Sequence, residues 1–140
     1  MFETVVVGAD GSPTAAEAVR QAIELVKLTG GSLHIVSAYT PQSLTTQGGG
    51  EFAKSLGSDA LAQSLVDDLA SRASIAGVTV ATHPRPGSPA DVICDVAGEV
   101  AADLIIVGNK GMTGARRILG SVPNSVAHQA PCSVLIAATT

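Results

Sequence analysis

Short apolar runs alternate along this chain with longer segments that have the hydrophobic period of an α-helix. The runs are rich in valine and isoleucine, and they lie at residues 4–8, 33–39, 78–83, 104–107 and 132–137. They are too short for buried helices and are typical of strands that are covered on both faces. The segments between them repeat apolar side chains three or four residues apart, as helices that pack one face on a sheet do. The chain therefore reads as strands and helices in alternation.

Capping and breaking residues indicate where the helices begin and end. Ser12-Pro13 and Ser88-Pro89 each combine an N-cap serine with a first-turn proline. Gly30, Gly77 and Pro131 are stop signals. The pattern predicts helices from Pro13 to the residue before Gly30, over residues 52–76, from Pro89 onward and over residues 122–129, with a loop at residues 40–50.

Five strands separated by four helices must run parallel, because each strand returns through a right-handed crossover. The sequence thus predicts one α/β domain over residues 1–140, with a doubly wound open sheet. Ligands of such sheets bind outside the carboxyl ends of the strands, where the strand order reverses. The first strand ends in the turn GADGS at residues 8–12 and the fourth in GNKG at residues 108–111. If these strands are neighbours, both turns face one crevice.

The stretch at residues 108–121, GNKGMTGARRILGS, has the composition of an anion site. Gly108 and Gly111 allow unusual backbone conformations and close approach to a ligand, so N–H groups can converge on phosphate oxygens. Gly120 and Ser121 then open a helix, whose unpaired N–H groups and dipole favour an anion. The stretch contains no carboxylate, and its cations are Lys110, Arg116 and Arg117.

Each of these residues also has a purely structural interpretation. The glycines can simply turn a tight corner, Asp10 can hydrogen-bond its own turn, and the two arginines can form a solvated face. The histidines, His34, His83 and His128, lie in different elements, and no spacing in the sequence joins them into a metal site or a catalytic relay.

Two familiar phosphate motifs are missing. No GxGxxG follows the first strand, so a dinucleotide fingerprint is unsupported. The run GGGEFAKS at residues 48–55 imitates a Walker A loop, but Ala53 stands where a glycine must precede the lysine. No strand precedes it either, so it does not predict a P-loop.

Three segments together resemble the universal stress protein family, in its ATP-binding subgroup. They are VVVGADGSP at residues 5–13, ADLIIVGNKGMTG at residues 102–114 and GSVPNSVAHQAPCSVLIA at residues 120–137, and the likeness covers essentially the whole chain. The resemblance implies a Rossmann-like fold of the adenine nucleotide alpha hydrolase type, with sheet order 3-2-1-4-5.

The family's ATP-binding pattern, G-x2-G-x9-G-S/T, carries over onto this chain with one departure. Between Gly111 and Gly120 there are eight residues, MTGARRIL, where the pattern has nine. The nucleotide-binding residues that the resemblance implies are Gly8, Ala9, Asp10, Gly108, Gly111, Met112, Gly114, Arg117, Gly120, Ser121 and Val122.

Composition narrows the function. The net charge is −4, although residues 104–140 carry three cations and no anion, so a small anionic ligand is expected and nucleic acid is not. The first ten residues have neither the basic region of a signal peptide nor a long apolar stretch, so no membrane attachment is expected. Cys94 and Cys132 are expected to be buried thiols in a reducing cytoplasm.

The sequence therefore predicts a cytoplasmic ATP-binding regulatory module of the stress response. AMP or a cyclic nucleotide remains an alternative ligand, Mg²⁺ is possible with ATP, and no other metal is expected. The resemblance and the apolar fifth strand imply a homodimer built on Ser133–Ala137. Beyond Asp10 there is no residue to activate water, so at most slow hydrolysis is expected. The alternative is a dimeric interaction scaffold in which the shortened loop has abolished nucleotide binding.

Overall fold

A parallel sheet with helices on both faces organises the chain. The computed structural model describes residues 1–41, 48–110 and 121–139, with residues 48–57 as backbone only. Within these ranges the strands are β1 (Thr4–Gly8), β2 (Ser32–Tyr39), β3 (Thr79–Pro86), β4 (Leu104–Gly108) and β5 (Ser133–Ala137). The helices are α1 (Pro13–Thr29), α2 (Gly48–Ile75), α3 (Pro89–Glu99) and α4 (Val122–Gln129). The strand order is β3-β2-β1-β4-β5, which confirms the α/β class and the order 3-2-1-4-5.

Alternate residues of the central strands enter two separate hydrophobic cores. Val5 and Val7 of β1 belong to the core under α1 and α2, whereas Val6 belongs to the core under α3 and α4. All three side chains are fully buried. A strand that buries both faces reads as a continuous apolar run, which is why the short valine stretch predicted β1 correctly.

The pairing of β1 with β4 creates the point where the strand order reverses. Val5 lies opposite Leu104 and Val7 opposite Ile106, so the two strands end side by side. From these ends the chain continues into α1 on one face of the sheet and, through residues 109–121, toward α4 on the other. The crevice between the two departing connections is the standard ligand position in sheets of this kind.

The predicted caps are confirmed for α1 and only partly for α3. Ser12 Oγ accepts a hydrogen bond from the Ala15 N–H at 3.2 Å, and Gly30 at the other end has the left-handed conformation, with φ 74°. Ser88 has the extended backbone of an N-cap, but its side chain makes no capping hydrogen bond. The first-turn proline therefore marks the start of α3 without help from the serine hydroxyl.

Two element boundaries differ from the prediction. The helix α2 begins at Gly48, inside the predicted loop, because a nucleated helix gains one hydrogen bond for each residue added, glycine included. The strand β3 continues to Pro86 instead of ending near residue 83. It lies at the edge of the sheet, where a proline without an N–H is tolerated, and Tyr39 pairs with Pro86.

The cysteines are free thiols, and both are half-buried, less than the sequence predicted. Cys94 on α3 and Cys132 before β5 pack at the border of the core under α3 and α4. Burial raises the pKa of both thiols, so they stay protonated at neutral pH. Across the described part of the chain, no helix combines the length and apolarity needed to cross a bilayer.

Candidate functional site

A cavity of about 370 Å³ opens at the carboxyl ends of β1 and β4. It lies at the predicted reversal of the strand order, between the turn after β1, the first residues of α3 and the start of α4. The described residues that line it are Gly8, Ala9, Asp10, Ser12, Thr14, Ala15, Val36, Ala38, Pro89, Ile93, Val107, Gly108, Lys110, Ser121, Val122 and Pro123.

Six of the residues predicted for nucleotide binding are brought together in this cavity. They come from three places in the chain and are Gly8, Ala9, Asp10, Gly108, Ser121 and Val122. The other five lie outside the described residues, as does the eight-residue connection, and they are Gly111, Met112, Gly114, Arg117 and Gly120. Their role remains a prediction from the sequence.

Asp10 is both part of its own turn and available to the cavity. Its Oδ1 accepts a hydrogen bond from the Ser12 N–H at 2.9 Å, and its Oδ2 lies 3.6 Å from Nζ of Lys110. Partial burial raises the pKa of the Asp10 carboxyl, but the bonds from Ser12 and the charge of Lys110 outweigh that effect. The pKa of Asp10 is therefore below its ordinary value, so Asp10 is an anion that can accept hydrogen bonds from a ligand in the cavity.

The first turn of α4 borders the cavity on its other side. Ser121 has an extended N-cap backbone, and its Oγ accepts from the Asn124 N–H at 3.3 Å. Ser121 therefore caps α4. Because Ser121, Val122 and Pro123 all line the cavity, the positive end of the helix dipole lies against it. An anionic group bound here would be stabilised by that dipole.

Space and not conformation favours glycine at position 108, which corrects the expectation of an unusual backbone conformation there. It is the last residue of β4, and its φ is not in the left-handed region. A Cβ atom there would lie 3.3 Å from the Thr14 carbonyl oxygen of α1, a backbone atom that cannot easily move. The close approach of helix and strand, rather than a special turn, explains this glycine.

Sequence reasoning missed the apolar wall of the cavity. Val36 and Ala38 of β2 and Pro89 and Ile93 of α3 form it. The Ala9 N–H donates to the Val36 carbonyl oxygen at 2.8 Å. This hydrogen bond holds the turn after β1 against β2. Alternation along β2 could have identified Val36 and Ala38, since both lie on the face that α3 covers.

Asn109 was also missed, although it lies within the glycine-rich stretch. Its Oδ1 accepts two hydrogen bonds from Thr139, one from the N–H at 3.1 Å and one from Oγ1 at 2.7 Å. The segment after β5 is thereby fixed against the turn after β4. No spacing pattern in the sequence points to a contact between residues thirty positions apart.

Two of the histidines are direct neighbours, a contact that no spacing in the sequence indicates. His34 Nδ1 lies 2.9 Å from His83 Nε2. The two residues come from β2 and β3, which the parallel register brings together although 49 positions separate them. Among residues 1–41, 48–110 and 121–139, no group of three or more histidine, cysteine, aspartate or glutamate side chains is arranged to hold a metal ion.

Comparison with known proteins supports one family over nearly the whole length. The model of the universal stress protein family matches residues 1–138. The chain belongs to the universal stress protein family. A universal stress protein of Mycobacterium tuberculosis is 38% identical over 145 residues, which cover 99% of this chain and 98% of that protein. One from Methanocaldococcus jannaschii is 31% identical, over 97% of this chain and 82% of that protein.

Solved structures of universal stress proteins share the fold. A crystal structure of a universal stress protein in complex with cAMP has a TM-score of 0.83 and 35% sequence identity, and covers 99% of both chains. The universal stress protein UspA from Lactobacillus plantarum has a TM-score of 0.79 at 21% identity, covering 96% of this chain and 97% of its own. The second likeness concerns the fold alone.

Proposed function

We propose that this universal stress protein binds an adenine nucleotide in the cavity at the carboxyl ends of β1 and β4. The observation that carries the proposal is the meeting of three features in one cavity. They are the anionic Asp10, the positive end of α4 at Ser121, and the apolar wall of β2 and α3. Its volume of about 370 Å³ falls within the range of small-molecule sites.

The three features suit the three parts of a nucleotide. The base packs against Val36, Ala38 and Ile93, because a flat aromatic ring gains most from an apolar surface. The ribose hydroxyl groups donate to the Asp10 carboxylate. The phosphate then lies at the first turn of α4, where the positive end of the helix dipole stabilises negative charge.

ATP is the proposed ligand, as the sequence pattern of the family implies. A cyclic adenine nucleotide is the second candidate, and the relative crystallised with cAMP at 35% identity favours it. The two ligands differ mainly in phosphate charge. The described lining contains one cation, Lys110, and its Nζ is already 3.6 Å from the Asp10 carboxylate. The negative charge of a triphosphate is therefore balanced mainly by the rest of the glycine-rich stretch and by Mg²⁺ bound to the phosphates.

The cellular role that fits a binding site of this kind is regulatory. Nucleotide occupancy changes the conformation or the partners of a cytoplasmic homodimer, and turnover of ATP is slow or absent. The dimer is built on β5, a strand at the sheet edge whose Leu135 and Ile136 are exposed. The competing proposal is a scaffold of the same fold that binds no nucleotide.

Titration calorimetry with ATP and with cAMP tests the site. Ser121→Asp is the informative variant, because aspartate is a good N-cap and keeps α4 intact while it places a negative charge where the phosphate lies. Gln129→Glu is the matched control, since it adds the same charge at an exposed position at the other end of the same helix.

The wild type should bind at least one of the two nucleotides, and Ser121→Asp should weaken that binding several-fold or more. Gln129→Glu should leave it within about twofold. A folded wild-type protein that binds neither nucleotide would favour the scaffold. Equal affinities for wild type and Ser121→Asp would place the nucleotide elsewhere. Denaturation of protein purified without added ligand should release the physiological nucleotide for identification.

A further inference from the structure

The contact between His34 and His83 joins two rings on neighbouring strands, and neither histidine is part of the nucleotide cavity lining. The nitrogens Nδ1 of His34 and Nε2 of His83 are 2.9 Å apart, the ring centroids are 5.1 Å apart, and the ring planes are inclined by 34°. In the register of β2 and β3, Val36 lies opposite His83 and His34 opposite Ala81, so the two histidines are diagonal neighbours on one face. Both are half-buried and reachable from solvent.

The separation of the two nitrogens matches that of two ligands of one metal ion. Bonds of about 2.0 to 2.1 Å from a metal to imidazole nitrogen put two such nitrogens about 2.9 Å apart at a right angle. At the tetrahedral angle the same bonds put them about 3.4 Å apart. The observed 2.9 Å is an ordinary hydrogen-bond length, and it equals the spacing of adjacent ligands of a square-planar or octahedral ion, so the two rings need only rotate to face one ion.

We propose that His34 and His83 form a binding site for a divalent transition-metal ion with a preference for imidazole, such as Ni²⁺ or Cu²⁺. His34 Nδ1 and His83 Nε2 are the two protein ligands, and water fills the remaining positions. The site shares no residue with the described lining of the nucleotide cavity, although Val36 of that lining lies opposite His83. Oxygen-seeking ions such as Mg²⁺ do not compete, because they prefer carboxylate, carbonyl and water ligands.

The protonation state of the pair suits this role. Burial lowers the pKa of His34, and burial together with the charges of its partner and Arg85 lowers the pKa of His83. Both rings are thus neutral at pH 7, with one nitrogen of the facing pair carrying a proton in the metal-free hydrogen bond. When the metal binds, that proton moves to the outer nitrogen of its own ring, so both facing lone pairs become available without net loss of a proton.

The charged neighbours of the pair nearly cancel. Arg85 on β3 and Glu99 on α3 form a salt bridge in which each guanidinium nitrogen meets one carboxylate oxygen, Nη2 to Oε1 at 2.9 Å. Arg85 lowers the pKa of His83 and Glu99 opposes that effect. A cation beside this neutral pair meets no large repulsion.

The backbone under the histidines is held by the longest ladder of the sheet. The strands β2 and β3 pair over eight positions, from Ser32 opposite Thr79 to Tyr39 opposite Pro86. The two Cα positions are therefore fixed by the strand pairing, and binding has only to rotate two rings. Preorganisation of this kind favours a site even when it offers only two protein ligands.

The test is a titration of the full, tag-free, reduced chain with NiCl₂ after treatment with a chelator and its removal. Calorimetry gives the affinity. Proton NMR signals of the imidazole C–H groups show which rings bind the paramagnetic ion. His34→Gln and His83→Gln remove one ligand each. His128→Gln is the control, because His128 is an exposed histidine on α4 and the substitution is the same.

Wild type and His128→Gln should bind one Ni²⁺ with the same affinity, and each of the other two variants should lose tenfold or more. The signals of His34 and His83 should broaden at substoichiometric Ni²⁺ while that of His128 stays sharp, and MgCl₂ should change nothing. All variants retain both thiols, so a loss specific to His34 and His83 excludes cysteine ligation. Unchanged affinity in both variants, or no selective broadening in the wild type, would overturn the proposal even if a variant failed to fold.

Discussion

A Cβ atom added to Gly8 would lie 2.6 Å from Cδ1 of Ile93 and 3.3 Å from its Cγ1. The last residue of β1 thus touches the helix α3 so closely that only hydrogen fits between them. Both residues line the candidate nucleotide cavity. The contact therefore links the packing of the sheet on α3 to the shape of the apolar wall.

The first prediction is that Gly8→Ala destabilises the fold and weakens nucleotide binding together. The new methyl group must push Ile93 aside, and overpacking of this kind costs about 1 to 3 kcal/mol. Urea unfolding measures the free energy of unfolding, and calorimetry measures nucleotide affinity. Because Ile93 has a movable side chain, the protein should still fold.

Ile93→Val provides the second arm of a double-mutant cycle. Valine lacks the Cδ1 atom that the new methyl group would strike, and alone it should cost about 0.5 to 1.5 kcal/mol. Gly8→Ala combined with Ile93→Val should therefore cost clearly less than the sum of the single changes. Strict additivity would mean that the contact of Gly8 with Ile93 is not what requires glycine.

The strands and the helix starts followed from the sequence because both depend on local signals. Burial on both faces makes a strand continuously apolar, as β1 and β4 are, and a proline after a serine fixes where α1 begins. The order 3-2-1-4-5 came from the family resemblance, and the register of β1 with β4 confirms it. The end of β3 at Pro86 could not be predicted from the sequence. A proline is tolerated at that position because β3 lies at the edge of the sheet, and only the strand order shows this.

The sequence predicted the polar residues of the candidate site but not its apolar wall. Asp10 and Ser121 stand at element ends, where their chemistry is visible as a turn or a cap. The apolar wall at Ile93 looks like any core residue until α3 is placed over the sheet. The meeting of His34 with His83 depends entirely on the register of two strands, which no local pattern contains.

The exposed edge of β5 leads to a prediction about assembly. Leu135 and Ile136 expose 39% and 38% of their surface on a strand that has no partner beyond it in the described sheet. If a second copy pairs there through a two-fold contact, Leu135→Lys should shift the mass measured by light scattering toward that of a monomer.

Leu28→Lys is the matched control for that experiment. Leu28 is 85% exposed on α1, so the same substitution there should leave the mass unchanged. A wild-type chain that is already monomeric at micromolar concentration would reject the dimer. Equal effects of both variants would show that the loss of a surface leucine, and not the position on β5, is responsible.

A further prediction is that ATP turnover is slow. The described cavity offers Asp10 as a carboxylate, and its lowered pKa, which the bonds from Ser12 and the charge of Lys110 cause, makes it a weak base. Steady-state hydrolysis should stay far below the roughly 1 to 10³ per second of typical enzymes. A phosphate-release assay on wild type and Asp10→Asn measures it. A rate within that range that Asp10→Asn abolishes would make this chain an enzyme.

The last prediction concerns the pH dependence of stability at the His34 and His83 pair. Burial lowers the pKa of both rings in the folded chain below the ordinary value of 6.5, and the positive Arg85 adds to this for His83 against the opposing charge of Glu99. Above pH 6.5 the rings are neutral in both states, so the stability is fully present. As the pH falls from 6.5 toward the folded pKa values, the unfolded chain binds more protons, and the free energy of unfolding decreases.

Urea unfolding in chelator-treated buffer at pH 7.5 and pH 5.5 measures this effect, with His83→Gln as the variant and His128→Gln as the control. The wild type and His128→Gln should lose the same amount of stability between the two pH values, since His128 is exposed and lies on another element. His83→Gln should lose less stability between the two pH values. It lacks the His83 ring, whose pKa is lowered in the folded chain, and its His34 ring no longer faces an imidazole. If all three proteins lose stability equally, the paired histidines do not govern the acid sensitivity of the fold between these two pH values.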